Sequence, residues 1–268
     1  MSNRLAATPS FISKLVGPCI RRMTFNRITV LLTVLTIVTF SQLSLSRQNN
    51  LLLRDAPELP TIDQKDAFFR SQAGQDRWIF ENLMASNVED VRNRGGFFIE
   101  FGARDGAEHS NTYFFEHFLG WNGLLIEASP SELGNILQNR PGSAIVHGAV
   151  CDRGIITLFD TGLPGMSGDK ESYDSERFSE LKDGAKEYEV KCYPLDYLVK
   201  YFKIEEVDLM TVDTEGSELS ALKTFPFNRV KPKLIAVELL VGNKERDSDR
   251  MALTSFMESK GYKICKHG

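Results

Sequence analysis

The sequence predicts an α/β fold: a mostly parallel sheet with helices on both faces, preceded by one membrane-spanning helix. Three observations predict it. Short apolar runs alternate with helical patterns over about two hundred residues. Acidic residues recur at the carboxyl ends of those runs. An uncharged stretch of eighteen residues, Ile28 to Leu45, lies ahead of them.

Taken in order, residues 1–27 form a basic tail. Up to residue 54 the chain has seven Lys or Arg and no acid, so the net charge of −4 leaves −11 for the remainder. An acidic body excludes nucleic acid as its partner. Residues 28–46 are the membrane-spanning signal-anchor: as a helix, Ile28 to Leu45 is roughly 27 Å long, close to the hydrocarbon thickness of a bilayer. Arg21, Arg22 and Arg27 on its N-terminal side place the tail in the cytosol and the body across the membrane, as a single-pass type II protein of the endoplasmic reticulum or Golgi. A basic, hydroxyl-rich, acid-free leader also describes a mitochondrial or plastid presequence. Residues 47–66, with two prolines and little periodicity, read as a stem, and the folded domain is expected over 67–268.

Within that domain, "GFFIEFG" (96–102) is a buried strand and "NTYFFEHFL" a helix. "GLLIEA" (123–128) is a second strand, followed by a helix that a serine opens. "SAIVHGAV" (143–150) is a third strand, with "GIITLFD" close behind. Beyond a polar, glycine-rich loop come the helix "DYLVKYF", the strand "VDLMTVDT" (207–214), the helix "SELSALKTF", the strand "KLIAVELL" (233–240), the helix "DRMALTSFMESK" and a short final strand "YKICK". The four cysteines form no CxxC pair and show no metal-ligand spacing with histidine. Neither a zinc site nor a disulfide framework is signalled, and each reads as an ordinary small residue.

Ligands of such a sheet sit at the carboxyl ends of its strands. There the sequence places Glu100 with Gly102, Asp105 and Gly106, then Glu127, Asp152, Asp213 with Glu215, and Glu238. The glycines permit a tight turn and close approach of a ligand. The acids of the first turn put negative charge where a dinucleotide's phosphates would sit, so this is no phosphate-binding loop. A cationic or zwitterionic ligand suits it better, and Glu127 can accept both hydroxyls of a ribose. A glycine turn with a ribose acid describes a nucleoside-bearing cofactor, and the acidic turn favours the amino group and sulfonium of S-adenosylmethionine. The aligned carboxylates suit a hard cation, but no ligand spacing demands a metal, and none is expected.

"SQAGQD" (71–76), "FFIEFGARDGAEHSNTYFFEHFLGWNGLLIEASP" (97–130), "GAVCDRGIITLF" (148–159) and "VDTEGSELSALKTF" (212–225) resemble, in order and in spacing, the FkbM family of methyltransferases. The resemblance implies a Rossmann-like S-adenosylmethionine fold that transfers methyl to oxygen on sugars or small metabolites. Carried over by position, it implies that Glu100, Gly102, Ala103, Asp105 and Gly106 line the methionine side of the cofactor and Glu127 the ribose. Ala149 and Val150 then lie beside the adenine, with Asp152 near its amino group. Asp213 and Glu215 face the transferred methyl, and one of them or His109 is the expected base for the acceptor hydroxyl. Two local departures are Arg104, where relatives commonly carry Asn, and "IEASP" for the usual "IEPNP". With "YKICK" as a sixth strand, the antiparallel seventh strand of the methyltransferase sheet is expected to be missing. The layout of anchor plus domain also resembles Star-like membrane proteins of animals. That implies a second reading, a non-catalytic protein assisting export of secretory cargo from the endoplasmic reticulum to the Golgi.

Overall fold

The computed structural model describes residues 59–162, 167–171, 184–238 and 244–265. The anchor expected at 28–46 lies outside them. Among the described residues no helix is long and apolar enough to cross a membrane.

Five parallel strands form the central sheet in the order β3-β2-β1-β7-β8: β1 Phe97–Phe101, β2 Asn122–Glu127, β3 Ala144–His147, β7 Leu209–Val212 and β8 Leu234–Val237. The apolar runs form strands buried on both faces, as a parallel sheet requires. Alternation along each strand then sorts residues between two cores. Ile99, Phe101, Leu124, Ile126, Met210 and Val212 pack under α5 (Leu195–Tyr201), α6 (Glu218–Lys223) and α7 (Lys244–Ser259). Phe98, Leu125 and Leu209 face the other way. They lie under α1 (Gln75–Ile79), α2 (Val88–Arg94), α3 (Tyr113–His117) and α4 (Leu133–Asn139), where Phe80, Phe114, Phe115 and Phe118 fill the layer.

The run "GIITLFD" leaves this sheet. It forms β4 (Ile155–Asp160), which pairs antiparallel with β5 (Ser167–Asp169) on one side and β6 (Lys186–Lys191) on the other. A disulfide between Cys151 and Cys192, 41 residues apart, joins the connection between β3 and β4 to the end of β6. The reading of those two cysteines as ordinary residues is thereby corrected. An isolated bridge between Ala149 and Cys192 sets the two segments side by side, a contact no sequence spacing announces. A second correction concerns "YKICK": residues 262–265 form no strand, and among the described residues the sheet ends at β8. Tyr262 instead packs edge-on against Phe227 and donates its hydroxyl hydrogen to the Pro232 carbonyl, 2.7 Å. The folded body also reaches back before residue 67, since the Pro60 carbonyl accepts from Arg92, which in turn lies over the Phe118 ring.

Candidate active site

The strand order reverses between β1 and β7, and a crevice at such a switch point, beyond the carboxyl ends of the strands, is where a doubly wound sheet binds its ligands. A crevice lies there. Its walls include Gly102, Ala103, Glu127, Ala149, Val150, Asp213 and Glu215. Gly102 has φ +70°, and a Cβ on it would lie 1.9 Å from the Asp213 carbonyl oxygen. The ends of β1 and β7 therefore approach as closely as they do only because residue 102 has no side chain.

Glu127 ends β2 with its side chain buried, 8% exposed. Its oxygens accept from the backbone N–H groups of Arg104, 2.7 Å, and Ser129, 2.6 Å. Burial pushes its carboxyl up to about 7, against the pull of those two N–H groups. Among the described residues no cation pairs with it, and its side chain lines the crevice.

Glu100 behaves differently, and its assignment to the methionine side is corrected. It lies inside β1, on the same face as Phe98, and points into the helix layer rather than the crevice. There it accepts from Ser110 Oγ, Thr112 Oγ1 and the Asn111 N–H. Arg140, wholly buried, stands 3.7 Å from it. That guanidinium also donates to Glu116, to the Gly106 carbonyl and to Ser110 and Thr112. Burial raises the Glu100 carboxyl while Arg140 opposes the rise. Asp105 and Gly106 are likewise supports rather than walls. Asp105 Oδ1 caps the turn by accepting from the N–H groups of Ala107 and Glu108, and Gly106 has φ +78°, with Arg140 packed against it. Asp152 is exposed and stands outside the crevice wall, which its neighbours Cys151 and Arg153 form instead.

At the far end, Asp213 is pushed up to about 9, first by burial and then by the adjacent Glu238. Ligand atoms of Asp213, Glu215 and Glu238 lie within 4.8 Å of one another, a spacing that could hold a hard cation or a shared proton. Buried Glu218 holds the turn between them, accepting from the Thr214 and Gly216 N–H groups. His109 lines the same end, and its Nδ1 accepts from Arg104 Nη1 at 3.1 Å. Arg104, His109 and Glu215 all adopt left-handed backbone conformations, with φ of 50°, 64° and 54°. Each costs of order 1–3 kcal/mol, and such strain concentrates at functional sites.

Sequence reasoning missed Asp160, which lines the crevice at the end of β4 and accepts from Ser129 and Ser131. The signal was the one that found Glu127, an acid closing an apolar run. It also saw Glu238 without placing it in the site.

The family model described as the methyltransferase FkbM domain matches residues 100–264. Among solved structures, a precorrin-6y C5,15-methyltransferase from Geobacter metallireducens GS-15 is 14% identical and aligns over 77% of this chain and 84% of its own, with a TM-score of 0.34. A search of curated protein sequences returns no match.

Proposed function

This chain belongs to the FkbM methyltransferase family, and from that premise we propose that it uses S-adenosylmethionine to methylate a hydroxyl of a sugar or small metabolite. The observation that carries this reading is Glu127, buried at the end of β2, facing the crevice and given only backbone donors among the described residues. A ribose diol supplies the two hydroxyl donors this acid lacks. The rest of the crevice fits the same cofactor. Ala149, Val150, Ile156 and Leu158 offer an apolar wall to a flat base. At the opposite end, Arg104 Nε and Glu238 Oε2 are buried without partners among the described residues. One is a cation donor and the other an acceptor, and a zwitterionic amino-acid tail answers both.

When bound, S-adenosylmethionine supplies an electrophilic methyl on a sulfonium. The protein has to place the acceptor and remove its proton. Of the three expected bases, Asp213 holds its own proton at neutral pH because burial and Glu238 disfavour a second charge. The lone pair of His109 Nδ1 is occupied by an Arg104 N–H, leaving Nε2 as a donor. Glu215, on the strained turn after β7, is thus the residue we assign to accepting the hydroxyl proton.

The disulfide between Cys151 and Cys192 supports an oxidising compartment for the body. It agrees with a type II anchor at 28–46 and a lumenal domain, and it argues against a reducing matrix. The acceptor is then a lumenal glycan or metabolite.

The test is calorimetric titration of the full-length chain, purified in mild detergent, with S-adenosylmethionine and with S-adenosylhomocysteine. Micromolar binding, about −8 kcal/mol, is expected. A folded sample that takes up neither rejects the cofactor reading and returns the chain to the cargo-export reading.

A further inference from the structure

We propose that Gln72 binds the amino-acid tail of the cofactor, so that the lead segment around "SQAGQD" is a wall of the site. This inference rests on the S-adenosylmethionine reading above. The segment is firmly built. Asp76, 1% exposed, accepts from the Arg70 N–H at 2.6 Å, the Ser71 N–H at 3.0 Å and the Ser71 hydroxyl at 2.5 Å, closing residues 70–76 into a turn. Phe69 stacks on Phe114 at 4.2 Å, anchoring the turn in the helix layer. Ser71 then pairs in a parallel bridge with His109, beyond the glycine turn of β1. The next residue, Gln72, emerges on the crevice wall beside His109 and Ser110. Its carboxamide makes no hydrogen bond among the described residues.

The crevice is chemically two-ended, and this fixes which part of the cofactor reaches Gln72. With the ribose on Glu127, the apolar wall after β3 takes the base. The amino-acid tail then extends across β1 toward β7, the end where Arg104, His109 and Glu238 lie. Gln72 closes that end. A carboxamide offers both a donor and an acceptor without a charge of its own, so it can serve the tail's carboxylate or its ammonium. The "SQAGQD" turn thereby acquires a role: Asp76 shapes it, Ser71 docks it and Gln72 makes the contact.

The experiment compares S-adenosylhomocysteine with 5′-methylthioadenosine, which keeps the nucleoside and the sulfur but lacks the amino-acid tail. Titrations of the full-length chain and of Gln72→Ala are run with both. Since Gln72 is exposed, the variant folds, and its melting temperature confirms that. Gln72→Ala is expected to weaken S-adenosylhomocysteine about tenfold, the value of one hydrogen bond to a charged group, and to leave 5′-methylthioadenosine unchanged. Equal weakening of both ligands, or of neither, overturns the proposal while sparing the cofactor reading. A parent chain that binds neither ligand overturns the cofactor reading and this inference with it.

Discussion

Glu100 and Glu127 sit on neighbouring strands, are both buried, and both have carboxyls raised by burial, yet the fold uses them in opposite ways. Glu100 lies within its strand and is sealed under a helix layer with Arg140, two hydroxyls and a backbone N–H. Glu127 ends its strand, has backbone donors alone among the described residues and faces a crevice. The difference teaches that a buried acid marks a binding site only when the fold leaves part of its demand unmet. A buried acid with a full complement of partners holds structure, and here that structure is the turn carrying Gly102 and Arg104.

The sharpest way to break this comparison is Arg140→Met. It leaves buried Glu100 and half-buried Glu116 without their cation, and the loss of a buried ion-pair partner costs about 3–5 kcal/mol. Denaturant unfolding should show it as a lower midpoint, and adding Glu100→Gln in the same chain should recover part of the loss. If Arg140→Met is as stable as the parent, the sealed network is not structural.

Glu127→Ala should do the reverse. Two hydrogen bonds to a charged acceptor contribute about 1.5–3 kcal/mol each, so S-adenosylhomocysteine should bind about a hundredfold more weakly or worse. The melting temperature of the unliganded protein should hold or rise, because a poorly neutralised acid has been removed. Unchanged affinity in a folded variant would remove Glu127 from the site.

A smaller effect sharpens the picture at the other end of the crevice. Asp213 is raised from 3.8 to about 9 in the fold. Its contribution is therefore complete below the unfolded value and fades as pH climbs through about 9. Glu127 acts in the same direction over the narrower window from 4.5 to about 7. Asp213→Asn should flatten the decline, gaining on the parent in melting temperature between about pH 5.5 and about pH 8.5. A constant gap between the two proteins across that range would show that Asp213 ionises normally.

Much of the site was legible in the sequence because parallel strands present their carboxyl ends together. An acid or glycine that closes an apolar run must fall at that edge, and this reasoning finds Gly102, Glu127, Asp213 and Glu215. It fails for Glu100, which comes one residue before the strand's end. Strand parity gives Glu100 the face of Phe98, but which face lies under helices is settled by packing. It fails for Asp152 because the chain turns there and exposes that side chain while burying Cys151.

The sequence by itself determined the alternation that makes a parallel α/β sheet, the glycine that lets β1 and β7 approach, and the acid that ends β2. Each follows from local periodicity or from the absence of a Cβ. Tertiary structure alone decided the rest. It paired Cys151 with Cys192 across 41 residues, set Arg140 against Glu100, joined Glu238 to Asp213, and brought Gln72 to the crevice through the bridge between Ser71 and His109. These contacts link residues far apart in the chain, and their partners become neighbours only after the sheet has chosen its strand order.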